Sequence, residues 1–67
     1  MRELLASELM RIMEISAIDN ETELDLDSLS RTEVAFFAEE HFEIELTDEE
    51  IKGAKNFEEL IAVMDAK

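Results

Sequence analysis

The sequence has no cysteine, proline, tryptophan or tyrosine, and only one glycine among its 67 residues. Without cysteine no disulfide can reinforce the fold, which accords with a reducing compartment, and any thiol chemistry must come from an added group. The near-absence of helix breakers predicts an all-helical chain with short connections. Basic residues are scarce as well: six Lys and Arg stand against nineteen Asp and Glu, a formal charge of −13. Such a surface repels phosphate backbones and anionic membranes, so neither nucleic-acid binding nor membrane insertion is expected, and partners with Lys/Arg patches are favoured. No apolar run approaches bilayer length, and Met1-Arg2-Glu3-Leu4 lacks the basic-then-apolar pattern of a signal peptide. A monomeric cytoplasmic protein is expected, with one domain over residues 1–67, a modest core and marginal stability.

Acidic chains poor in aromatics are often disordered. Here a hydrophobic content of 46%, set out with helical periodicity, argues for a fold. Leu5, Leu9, Ile12 and Met13 recur at helical spacing, which predicts an amphipathic helix from about residue 2 to 14. Ser16 to Asp27 reads as a loop anchored by Ile18, Leu24 and Leu26. A second helix is expected from Ser28 to Phe42, with Asp27 as N-cap. Glu43 to Leu46 alternates like a strand but has none to pair with, so it reads as an extended connection whose Ile44 and Leu46 plug the core. Thr47-Asp48-Glu49-Glu50 is a capping box opening a short third helix, with Gly53 as its expected stop. Asn56 with Glu59 offers a similar cap to a last helix carrying Phe57, Leu60, Ile61 and Met64. The sum is a small all-α four-helix bundle, three helices long and one short.

The second helix has an unusual face. At about 100° per residue, Val34, Ala35, Ala38 and Phe42 share the core stripe. Leu29, Glu33, Phe36 and Glu40 stack on the opposite side, placing two large hydrophobes among carboxylates. Apolar anchors inside a charged rim suit a docking stripe; the plainer alternative folds Phe36 over the core edge beside Phe37.

No catalytic constellation is visible. His41 stands alone near the end of the second helix, where it suits the dipole, and no serine nucleophile is placed near it. The acidic run from Asp19 to Asp27 fails as a calcium loop, because the positions that require Gly and Glu hold Leu24 and Ser30. No metal site is expected. The net charge also predicts self-repulsion that raises folded-state carboxylate pKa values, so that mild acid stabilises the fold.

What remains is Asp27-Ser28-Leu29 at a helix start, after a long first loop with Leu24. An acidic second helix ending Glu39-Glu40-His41-Phe42 follows, then Ile44-Glu45-Leu46-Thr47-Asp48-Glu49-Glu50 and an apolar last helix. In this order the chain resembles the acyl carrier protein family over nearly its whole length. The resemblance implies a non-catalytic carrier whose Ser28, flanked by Asp27 and Leu29, takes 4'-phosphopantetheine from coenzyme A and holds acyl or aminoacyl cargo as a thioester. It implies Leu29, Glu33, Phe36, Glu39 and Glu40 as partner contacts. The partners would be a phosphopantetheinyl transferase and acyl-activating, synthase or transferase enzymes with basic docking patches. A helix N-terminus suits a phosphate on Ser28, since its free amides and dipole favour negative charge.

Departures from the family pattern point to a specialised carrier rather than the housekeeping fatty-acid one. Asp25 stands where Gly is frequent, Ser30-Arg31 follows Leu29 where an acid is common, and Thr47 replaces a frequent Pro. The first loop is also shorter. Two other function classes compete: an acidic helical adaptor with no prosthetic group, and a small enzyme, which lacks a nucleophile–base set.

Overall fold

The apolar spacing carries over directly into the computed structural model, which describes residues 1–67. Four helices follow one another: α1 (Arg2–Met13), α2 (Ser28–Phe42), α3 (Asp48–Gly53) and α4 (Phe57–Asp65). α2 packs on both α1 and α3, and α3 packs on α4. Leu5 and Leu9 of α1, Val34 and Ala38 of α2, and Leu60 of α4 are wholly inaccessible to solvent. Phe57, Ile61 and Met64 complete the buried face of α4. Leu46 is buried and Ile44 packs against the same cluster, so the segment after α2 does plug the core. No polar or charged residue is buried, so the interior is held by apolar contact alone. The radius of gyration, 10.4 Å, is close to the ~11 Å expected of a folded chain this long.

The helix starts follow the sequence. Thr47 and Glu50 form a reciprocal capping box on α3. Asn56 accepts from the Glu59 amide, but the Glu59 carboxylate reaches the Lys55 amide rather than returning to Asn56.

The helix ends do not follow it. α1 stops at Met13, one residue earlier than its periodicity suggests, because Glu14 turns left-handed (φ 56°) and Ile15 N–H returns to the Met10 carbonyl. Glu43 closes α2 in the same left-handed region, with Ile44 N–H returning to the Ala38 carbonyl. Gly53, the expected stop, is the last residue of α3 and does not use positive φ; Ala54 caps it in extended conformation.

The loop between α1 and α2 is fastened to the start of α4. Leu24 N–H donates to the Lys55 carbonyl, Phe57 N–H to Thr22 and Glu58 N–H to Asn20, each at 3.1 Å. Glu23 and Asn56 form an isolated antiparallel bridge there. Ile18, Leu24 and Leu26 pack on the core from the same loop.

The expected upward shift of carboxylate pKa values is not what the resolved shifts show. Glu8 is held below its ordinary value by its hydrogen bond with Arg11, Asp27 by the Ser30 amide, and Glu50 by Lys67 and then the Thr47 amide. Local hydrogen bonds outweigh net repulsion at these three sites.

Candidate functional site

The loop delivers its last residues to the start of α2 in fixed register. Leu26 is half-buried against the core, and its carbonyl accepts from the Arg31 guanidinium at 2.9 Å. Asp27 follows in extended conformation (φ −80°, ψ 178°) and caps α2, its Oδ1 accepting from Ser30 N–H at 2.8 Å. That hydrogen bond is the main reason its carboxyl is held below the usual range, so Asp27 is ionised at neutral pH.

Ser28 is the first residue of the 15-residue α2 and is exposed. Its carbonyl accepts from Thr32 Oγ1 at 3.0 Å, while no hydrogen bond of the chain occupies its own Oγ. The residue thus offers a free primary hydroxyl at the end of a helix whose first amides lack intrahelical acceptors. A phosphodiester fits there: the oxygen is accessible, and the dipole end favours the negative charge.

Beyond Ser28, the helix presents the mixed stripe. Leu29 is 70% and Phe36 67% exposed, so Phe36 does not fold over the core edge. Phe37 does turn inward, packing partly on the core and stacking on His41 at 4.3 Å. Glu33 and Glu40 are exposed on the Leu29–Phe36 side. Glu39 is exposed too, but it edges a different concavity, with Glu43, Glu45 and Lys67. The structure therefore gathers four of the expected contacts on one face and sets Glu39 on its flank.

Two basic residues carry roles that residue patterns do not reveal. Arg31, in the Ser30-Arg31 pair that follows Leu29 where an acid is common in the family, directs its Nε to Asp48 Oδ1 at 2.8 Å and another nitrogen to Leu26. It ties the loop end to the first turn of α3. Arg11 reaches across from α1, pairing with Glu8 and standing 3.8 Å from Glu33. The nearest sequence signal was only that each is a basic residue amid acids; both partners across helices depend on the packing.

No group of three or more His, Cys, Asp or Glu side chains is placed to hold a metal ion. No helix is long and apolar enough to cross a membrane.

Comparison with curated proteins and with solved structures gave no significant match. The family model described as "phosphopantetheine attachment site" matches residues 1–64. That span takes in all of α1, α2 and α3 and α4 as far as Met64. A small helical bundle, a free serine at a helix start and this match agree, and the chain belongs to the phosphopantetheine attachment site family, the non-catalytic, acyl carrier protein-like domains that bear 4'-phosphopantetheine.

Proposed function

We propose that the chain carries acyl or aminoacyl intermediates on a 4'-phosphopantetheine arm joined to Ser28, and passes them between biosynthetic enzymes. The observation that carries this reading is the position of Ser28: exposed, unbonded at Oγ and first in α2, inside the matched span. Asp27 sets the angle at which the loop enters the helix, and its cap keeps the first turn of α2 formed around the hydroxyl. When bound, the arm supplies the thiol that this cysteine-free chain lacks. A tethered thiol also raises the effective concentration of cargo at each partner's active site.

Carrier domains of this family work with phosphopantetheinyl transferases and biosynthetic enzymes. The face formed by Leu29, Glu33, Phe36 and Glu40, with Glu39 beside it, supports docking to partners with basic patches: the acids steer association and the two hydrophobes anchor it. The chain acts as one monomeric cytoplasmic domain over 1–67. An apolar core completed within one copy and a charge of −13 that repels further copies support the monomer. The departures at Asp25, Ser30 and Thr47 favour a specialised pathway, polyketide, aminoacyl or lipid-modifying, over housekeeping fatty-acid synthesis. The adaptor alternative shares the docking face but not the arm, and family membership speaks against it.

The test is intact mass after incubation with coenzyme A, Mg²⁺ and a promiscuous phosphopantetheinyl transferase. One phosphopantetheine is added to the wild-type chain and none to Ser28→Ala, whose helical spectrum stays unchanged. Modification that persists in Ser28→Ala overturns the assignment.

A further inference from the structure

One cation of this acidic chain already sits beside the docking stripe. Arg11, in the last turn of α1, donates from Nε to Glu8 Oε1 at 3.2 Å, and Nη2 contacts the other Glu8 oxygen. The same Nη2 lies 3.8 Å from Glu33 Oε2. Glu33 stands on α2 between the exposed Leu29 and Phe36. Between the two helices runs a groove of about 350 Å³, edged by Glu8, Arg11, Glu33, Phe36, Glu40 and His41.

The groove has the chemistry of a guanidinium site. Three carboxylates surround it, and an exposed aromatic ring flanks them, which is what a planar cation with a fork of donors takes up. A guanidinium is already there, but held in water: the Arg11 side chain is 63% and that of Glu33 48% exposed. Exposed pairs of this kind contribute little, so Arg11 can be exchanged for another cation at small cost. The overall charge of −13 selects basic partners, and the groove offers them this place to enter.

We propose that Arg11 is an internal stand-in for an arginine of the docking enzyme, holding Glu33 in the free chain and giving it up when a partner's guanidinium enters the α1–α2 groove. Arg11 then sets a threshold for docking. A partner must present a cation that pairs with Glu33 better than Arg11 does, which favours arginine and disfavours weakly basic surfaces. This rests on the carrier reading and adds to it a specificity-determining residue outside α2.

The experiment measures the Kd of the unmodified chain for a promiscuous phosphopantetheinyl transferase without coenzyme A, across NaCl concentrations. Arg11→Gln lowers Kd by about three- to fivefold at low salt, the worth of one exposed pair. Lys55→Gln removes the same charge from the α3–α4 connection, outside the groove; at about 0.15 M NaCl, where distant charges are screened, it changes Kd by less than about twofold, and at low salt by less than Arg11→Gln does. In a Glu33→Gln background the gain from Arg11→Gln disappears. Arg11→Lys, which keeps the charge but loses the fork, falls between wild type and Arg11→Gln and repeats the comparison in a helix that retains its pair with Glu8. Docking that weakens in Arg11→Gln, or improves no more than in Lys55→Gln, overturns the proposal. Mass gain at Ser28 is read separately with coenzyme A and Mg²⁺. Its absence in the wild type overturns the carrier reading, whereas mass gain with a Kd indifferent to Arg11 overturns the stand-in alone.

Discussion

Arg31 and Asp48, seventeen positions apart, are joined by a 2.8 Å hydrogen bond from Nε to Oδ1. The same guanidinium holds the Leu26 carbonyl, so one side chain, only 16% exposed, connects the loop end, α2 and α3. Arg31→Ala leaves the Leu26 carbonyl without its donor and is expected to destabilise the fold by about 1–2 kcal/mol. Asp48 is 57% exposed, and Asp48→Ala is expected to cost at most about 1 kcal/mol. Urea midpoints of the two variants and their double mutant check the coupling, and independent effects would contradict it.

The left-handed helix ends at Glu14 and Glu43 carry a backbone cost that glycine avoids. Glu14→Gly and Glu43→Gly are each expected to stabilise the chain by about 0.5–1 kcal/mol, after the greater freedom of glycine in the unfolded state is set against the relief. Glu14→Gln and Glu43→Gln remove the same charges without relaxing the backbone. A gain equal in the Gln and Gly variants would assign the effect to charge.

Docking and stability should separate on the exposed face of α2. Phe36 is 67% exposed, so Phe36→Ala changes stability by less than about 0.5 kcal/mol. On the proposed docking face it removes an anchor and weakens transferase binding by about tenfold. Glu33→Lys and Glu40→Lys act instead on the association rate, more strongly at low salt. Stopped-flow binding resolves the two effects, and three variants with wild-type kinetics would move docking elsewhere.

Acid should weaken this protein through Glu8, Asp27 and Glu50. Each has a folded pKa below its ordinary value, so each binds its proton less readily when folded. Their contribution is complete above the unfolded carboxylate range of about 4 to 4.5, and is lost as pH falls through the lowered values. Chemical-denaturation midpoints should therefore fall on acidification through this range, less steeply in Asp27→Asn and in Glu50→Gln. Rising NaCl should raise the melting temperature near neutral pH, because −13 is still a repulsive surface. Midpoints that rise on acidification would show repulsion outweighing these local bonds.

The elements that sequence patterns locate well are those fixed by nearby residues. Phe57, Leu60, Ile61 and Met64 are spaced to share one helix face, and all are buried. The Thr47–Glu50 box is read directly because both partners lie within one turn. The exposed pair Leu29 and Phe36 is also legible, since helical phase alone opposes it to Val34 and Ala38. Helix ends are less so: with no glycine at 14 or 43, nothing in the residue pattern marks the left-handed turns there. Long side chains are least legible. Which carboxylate Arg11 or Arg31 meets depends on how α1 and α3 lie against α2, and no short-range pattern encodes that.

The fastening of the first loop to α4 bears on the order in which the chain can acquire its structure during synthesis. Thr22 and Leu24 belong to the first half, but their backbone partners Phe57 and Lys55 are made near the end. A nascent chain that has just exposed Asp27 and Ser28 has therefore no means of completing the loop before them. α1 and α2 can form as local helices, yet the segment joining them settles only once the last helix leaves the ribosome. Chains arrested before Lys55 should remain open there to protease, and a chain extended past Asp65 should close.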